Sequence, residues 1–181
     1  YYIYDAAGTK PTTATGKLFT RRTEGYTGWY AKGNSKTYAI ENISIRAESI
    51  VGRTNVEVTE PFWFRDDFEE DSIGLYVTEY GSIAGGKLTI SHYYFHCTFP
   101  QIISGSASVE TKVVDYVNST WTSINLFSQV KSGRPIRSGY KLEAYYTNVR
   151  LWKDKEVIQS VNNVITGLTE VTLRLEFDPV T

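Results

Sequence analysis

The chain of 181 residues contains little of what marks several protein classes. It has one cysteine and no methionine. A single cysteine excludes an intrachain disulfide framework. No hydrophobic run approaches the roughly 20 residues of a membrane helix, so we expect no membrane span. Lys and Arg total 19 against 20 Asp and Glu, for a net charge of -1. This balance argues against a nucleic-acid-binding protein.

The missing methionine bears on the protein's location. Because a natural full-length chain begins with Met, we predict that this one is processed or cut. Two Asn-X-Ser/Thr tripeptides, at Asn42 and Asn118, are acceptors for N-glycosylation, although such tripeptides also arise by chance. Together with abundant Tyr, Thr and Ser, they favour an extracellular or cell-surface glycoprotein, secreted after signal-peptide removal.

Alternating apolar and polar residues dominate the chain from residue 42 onward. This period of two is typical of strands with one buried face. No amphipathic helix of ten or more residues is indicated. We therefore predict an all-β fold, an antiparallel jelly-roll-like sandwich with an N-terminal arm strand. The predicted strands lie at 42–47, 107–113, 141–144, 149–158 (with a turn at Asp154-Lys155) and 171–177.

The N-terminal third has a different pattern. Tyr1 to Tyr4 is a short, β-prone apolar run, followed by a loop rich in Ala, Gly, Thr and Pro. Gly25 to Asn34 places aromatic residues among several glycines, which predicts a loop or irregular hairpin. We divide the chain near Pro61, into an arm with first strands (1–60) and a sandwich body (61–181).

Several motifs of the body resemble those of a known group of sandwich domains. Phe64, Asp66-Asp67 and Phe68-Glu69 form an aromatic and acidic opening, and a Gly-Lys-Leu strand follows at 86–90. A Tyr-led strand begins at Tyr140, and Val149 to Asp154 reads VRLWKD. This series resembles the concanavalin A-like lectin/glucanase group, which includes laminin-G-like domains. The resemblance implies a β-sandwich and supports a fold more than a function.

The chain departs from that group in two ways. Its hydrolases carry a Glu-x-Asp-x-x-Glu strand, which supplies a nucleophile and a general acid. No segment here matches that strand, so we expect a protein that is not an enzyme. Family members also usually continue with another strand pair after a segment like 172–177. The chain stops at Thr181, which predicts an open sheet edge in need of a partner.

The acidic run after Phe64 is a candidate calcium site. Calcium takes six to eight oxygen ligands, often carboxylates. In the resembling group a structural calcium often joins this opening segment to an Asp near the last strand. The alternative is a solvated acidic turn. The candidate ligands are Asp66, Asp67, Glu69, Asp71 and Asp178.

Aromatic residues are candidates for a sugar-stacking platform. Sandwich lectins use aromatic faces in this way, although aromatic residues in a sandwich also build the core. The candidates are Tyr93, Tyr94, Trp121 and Trp152.

The N-terminal run carries the leading functional prediction. Residues 1–8 form a possible donor strand, and Tyr1, Tyr2, Ile3 and Tyr4 would fill the groove of the next subunit. Repeated head-to-tail contact builds a filament. We predict a homopolymeric adhesive pilus subunit, similar in architecture to archaeal jelly-roll pilus subunits. Two alternatives stay open. The segment closes its own sheet, or the chain is a glycan-binding module of an adhesin, enzyme or viral fibre.

Overall fold

The computed structural model describes residues 2–5, 12, 24–32, 38–51, 57–58, 62–70, 72–75, 77–79, 81–90, 95–116, 121–131, 134–135 and 139–178. These residues form antiparallel strands and one short 3₁₀ turn, Ile73–Leu75, so the all-β prediction is confirmed. No helix in these ranges is long and apolar enough for a membrane crossing. The strands are β1 (Tyr2–Asp5), β2 (Glu24–Lys32), β3 (Tyr38–Val51), β4 (Glu57–Val58), β5 (Phe62–Asp66), β6 (Val77–Glu79), β7 (Gly81–Ile83), β8 (Leu88–Ile90), β9 (Phe95–Val114), β10 (Trp121–Ser128), β11 (Val130–Lys131), β12 (Arg134–Pro135), β13 (Tyr140–Tyr145), β14 (Asn148–Lys153), β15 (Glu156–Val161) and β16 (Val171–Phe177).

Strands from both sides of Pro61 share one hydrogen-bonded network. Its main path runs β15-β14-β13-β10-β2-β9-β3-β8-β7, and β16 joins β9 while β1 joins β16. β5 pairs with β3, and β11 pairs separately with β12. β2 and β3, from the first 60 residues, therefore lie between strands of the remaining chain.

The two longest strands, β3 and β9, connect two halves of this network: β2, β10, β13, β14 and β15 on one side, and β5, β7 and β8 on the other. β3 and β9 pair from Ala39 opposite Val114 to Val51 opposite Ile102, with register shifts after Ile40 and after Ala47. β9 pairs with β2 up to Ser104 and with β16 from Ala107 onward. Gly105, between these segments, has φ 74°, which a glycine adopts without steric cost. β10 and β13 also contact β16, an arrangement compatible with a β-sandwich.

The core follows the alternation of the sequence. Ile43, Ile45 and Ala47 of β3 are buried, as are Leu142 and Ala144 of β13. In β16 the buried apolar residues are again alternate ones, since successive strand residues point to opposite faces. The core also includes Val109, Val113, Ile124, Leu126, Phe127, Tyr140, Val149, Leu151, Val171, Leu173 and Leu175.

The prediction of a loop or irregular hairpin at Gly25 to Asn34 is wrong over most of its length. Residues 24–32 form β2, which pairs with β9 on one side and β10 on the other. The strand has an irregularity between Tyr26 and Gly28 in both pairings. Thr27, at that irregularity, is buried and donates its hydroxyl to the carbonyl of Asn125 at 2.6 Å. Gly25 of this segment accommodates neighbouring backbone within a strand, as glycine does where two backbones approach closely.

A bulge in β10 explains two of the glycines. Phe127 is fully buried with φ 56°, a left-handed conformation that is rare for residues with side chains. Its ring packs edge-on against Phe177 at 5.1 Å. A Cβ at Gly25 would lie 2.5 Å from the Phe127 backbone, and one at Gly139 would lie 2.4 Å from the Phe127 carbonyl oxygen. Glycine at these positions lets three backbone segments meet at the bulge.

Replacing Gly139 by alanine tests this close approach. Gly139 has φ 79° and Gly167 has φ 76°, but a Cβ at Gly167 has no atom within 4 Å. Gly167→Ala should cost about 1–2 kcal/mol, from the left-handed backbone alone. Gly139→Ala adds a clash with backbone, so we expect a cost of about 3 kcal/mol or more. Urea unfolding of both variants checks the difference, and equal costs would contradict the packing at Phe127.

Candidate functional site on β10, β13 and β14

The candidate site is the face of β10, β13 and β14 opposite the core. Register pairs arrange it in three rows. Rows two residues apart are separated by about 7 Å, and neighbouring strands by about 4.8 Å. The polar-aromatic face consists of Trp121, Tyr145 and Asn148 in the first row, Ser123, Glu143 and Arg150 in the second, and Asn125, Lys141 and Trp152 in the third.

A buried carboxylate, that of Glu143 in the second row, bonds two side chains of the third row. Glu143 is 2% exposed although it faces away from the core. Its two oxygens accept a hydrogen bond from Lys141 Nζ at 2.7 Å and from Trp152 Nε1 at 2.9 Å. Lys141 Nζ also lies 4.1 Å from the centre of the Trp152 ring, a cation-π contact. The three side chains therefore hold one another in place.

Aromatic and cationic side chains also meet in the first two rows. The rings of Trp121 and Tyr145 are 5.6 Å apart, and the Tyr146 ring stands edge-on to Tyr145 at 4.4 Å. The guanidinium carbon of Arg150 lies 3.7 Å from the centre of the Tyr145 ring. Trp121, Tyr145 and Trp152 are half-buried, and Tyr146 is 41% exposed. Ser123, Asn125 and Glu143 are buried, so the accessible part of the face consists of these rings with Lys141, Asn148 and Arg150.

Tyr116 supports the turn that carries Tyr146. Its hydroxyl donates to the Tyr146 carbonyl at 2.8 Å, and its backbone N–H donates to Thr169 at 2.8 Å. Burial, with a smaller contribution from the charge of Glu143, raises the pKa of Tyr116 well above its usual range. The phenol therefore stays protonated as a donor, and the turn stays fixed at the end of the face.

Two of the four predicted sugar-binding residues share this face. Trp121 begins β10 and Trp152 lies in β14, with β13 between them. Tyr93 and Tyr94 lie outside the described residues. Lys141, Glu143, Tyr145 and Arg150 were not predicted as site residues. The alternation of 141–145 places three of them on one strand face, but the pairing with Arg150 and Trp152 depends on strand register.

The acidic segment after β5 forms a turn. Asp66 is buried, and its oxygens accept the backbone N–H of Phe68 at 2.9 Å and the hydroxyl of Ser72 at 2.5 Å. Asp67 and Glu69 are exposed. Among the described residues no three acidic, His or Cys side chains are grouped to hold a metal ion. Asp71 lies outside those residues, so calcium binding by this segment stays a prediction.

Asp178 lies far from that segment. It follows Phe177, which is in register with Ala107 of β9, and through β3 with Phe62 at the start of β5. Asp66 ends β5 four residues later, about 13 Å along the strand direction, and three strand spacings add about 14 Å across the sheet. Ligands of one calcium lie within about 2.6 Å of the ion. The structure therefore does not bring Asp178 together with Asp66.

The predicted donor strand pairs within the single chain. Tyr2, Ile3, Tyr4 and Asp5 stand opposite Arg174, Leu173, Thr172 and Val171 of β16. Tyr1 lies outside the described residues. β16 pairs with β9 on its other side, so among the residues that the structure describes β1 is the outer strand beside β16. Pairing of the same residues between copies stays a prediction.

The two glycosylation acceptors also stay predictions. Asn42 is half-buried in β3, opposite Lys112 of β9, and its carbonyl accepts the Thr111 hydroxyl at 2.9 Å. Asn118 lies outside the described residues.

Comparison of the chain with protein-family models, with curated proteins and with solved structures finds no match. The described sheet is antiparallel and compatible with a β-sandwich, and the concanavalin A-like resemblance is supported to that extent.

Replacing Glu143 tests the hydrogen-bond network that it forms with Lys141 and Trp152 in the polar-aromatic face. Glu143→Ala leaves the partly buried Lys141 without its ion-pair partner and the Trp152 N–H without its acceptor. Removing one partner of a buried pair costs about 3–5 kcal/mol, and we expect a loss near the lower value because Lys141 keeps some access to water. The exposed Glu156→Ala should change stability by about 0.5 kcal/mol or less. Chemical unfolding measures both, and equal effects would show that the network contributes little.

Proposed function

We propose that the protein is a non-enzymatic carbohydrate-binding domain and that the polar-aromatic face is its binding surface. The observation that carries this proposal is the presence of Trp121 and Trp152 on one sheet face, on either side of the Lys141–Glu143 pair. Sugar rings present C–H groups that pack on aromatic rings, and hydroxyl groups that exchange hydrogen bonds with charged and amide side chains. The face offers both kinds of group.

The dimensions and rigidity of the face support this function. Its first and third rows are about 13 Å apart along the strands, enough for more than one sugar ring. Trp152 is held by its hydrogen bond to Glu143, and Tyr145 is packed between Trp121 and Arg150. Side chains that are ordered before binding lose less conformational entropy when the ligand arrives.

The charges of the face favour binding over hydrolysis. A glycosidase needs two carboxyl groups about 5–10 Å apart, flanking the scissile bond. Of the nine residues of the polar-aromatic face, Glu143 alone is acidic, and both its oxygens are engaged. The resemblance to concanavalin A-like domains and the extracellular character of the sequence agree with a surface glycan as ligand.

Alanine substitution of the tryptophans tests the binding surface. We expect Trp121→Ala and Trp152→Ala each to weaken saccharide binding about tenfold, or about 1.4 kcal/mol. Leu75→Ala, at an exposed apolar residue outside the face, should bind as the unaltered protein does. A glycan array followed by calorimetry measures binding, and circular dichroism confirms folding. Unaltered protein that binds no saccharide on a broad array would contradict the proposal.

A second candidate function is assembly into an extracellular filament by strand donation. The observation that favours it is the position of β1, which pairs with β16 at the end of the described sheet and precedes β2 by residues 6–23. The same four register pairs can form between copies, because the partner of β1 in the sheet is β16 and an identical β16 is present in every copy. Each exchange leaves one β16 open and one β1 free, so the contact is head-to-tail and repeats.

Deletion of residues 1–8 tests strand donation. We expect a folded monomer that no longer polymerises, because β16 loses its outer partner while β9 still pairs along its other edge. Negative-stain electron microscopy shows the filaments, and Thr12→Ala, at an exposed residue after the strand, is the control that should still assemble. A synthetic peptide of residues 1–8 should cap the deleted form and keep it monomeric. Filaments that persist after the deletion would exclude donation by β1.

A further inference from the structure

We infer that the polar-aromatic face selects saccharides that carry a carboxylate, and that Arg150 is the residue that pairs with it. This inference rests on the proposed carbohydrate-binding function and adds the chemical class of the ligand.

The charge balance of the face leaves one cation unmatched. Lys141 and Glu143 form an ion pair at 2.7 Å. Arg150 stands opposite Glu143 in the register, yet the two Glu143 oxygens bond Lys141 and Trp152 instead. On its other side Arg150 is paired with Ser160, which is neutral. The ion pairs between described residues do not include Arg150, so the face carries a residual charge of +1 centred on that guanidinium.

The Tyr145 ring holds this cation in a defined position. The guanidinium carbon lies 3.7 Å from the ring centre, within cation-π distance. A guanidinium in contact with a ring still presents N–H groups at its edge, which match the two coplanar oxygens of a carboxylate. Arg150 is half-buried, so its charge is screened less than that of a fully exposed arginine.

The cation also lies beside the stacking residues. Tyr145 contacts the Trp121 ring on one side and Arg150 on the other. A sugar ring packed against Trp121 therefore has its substituents within reach of the second row. A carboxylate on that ring meets Arg150, whereas a neutral hydroxymethyl group at the same position leaves the cation without a counter-charge. This difference is the physical basis of selection.

Matched saccharides separate charge from shape. An array that contains uronic-acid oligosaccharides, their methyl esters, sulfated oligosaccharides and neutral oligosaccharides is probed with the unaltered protein, Arg150→Gln and Arg65→Gln. Arg65 is an exposed arginine of β5, outside the face, so its variant removes the same charge elsewhere. The strongest acidic ligand and its methyl ester are then titrated by calorimetry at two salt concentrations.

We expect the free acid to bind at least tenfold more tightly than its methyl ester. Arg150→Gln should remove this preference, so that the acid and the ester bind equally, and Arg65→Gln should keep it. Equal binding of acid and ester, or a preference that survives in Arg150→Gln, would overturn the inference but leave carbohydrate binding in place. A preference confined to sulfated saccharides would overturn the choice of carboxylate. Absence of any saccharide binding would overturn the proposed function and this inference together.

Discussion

The ladder between β3 and β9 is the interaction on which the described fold depends. β9 pairs with β3 from Ile102 to Val114, and its other neighbour changes from β2 to β16 on either side of Gly105. Both halves of the sheet network thus share the same two strands, so neither half keeps all its partners if the ladder breaks. The core residues of β3 and β9 lie along this ladder, and their burial supplies much of the hydrophobic stabilisation that holds the halves together.

Because β3 and β9 bring the two halves together, β10 and β13 contact β16 and their outer side becomes the polar-aromatic face. The network around Glu143 is costly to bury, since taking a charge pair out of water is only partly offset by its attraction. Its geometry, with the carboxylate bonded to both Lys141 and Trp152, satisfies both oxygens and orients the ring. Because both Glu143 oxygens are engaged, Arg150 contacts the Tyr145 ring instead of Glu143. Its positive charge therefore stays on the polar-aromatic face.

The two functional proposals use different parts of the same framework. β1 lies at the end of the sheet beside β16, while the polar-aromatic face lies on strands reached through β2 and β10. Strand exchange at β1 therefore leaves the register of β10, β13 and β14 unchanged. A filament of such domains would present one face per subunit, and multivalent presentation strengthens weak binding to a surface without any new contact.

Local sequence determined several of the strands and part of the core. The alternation in β3, β13, β14 and β16 predicts both their positions and their buried residues, because a period of two reports directly on which side of a strand is apolar. It could not predict β10, or β2, in which Gly25 accommodates the backbone of Phe127, or the burial of Glu143 on the side away from the core. Trp121 and Trp152 were recognisable as candidates, but their shared face, and the pairing of Arg150 with Tyr145, depend on register between strands distant in sequence. Strand register is set by packing across the whole sheet, and only the tertiary structure decides it.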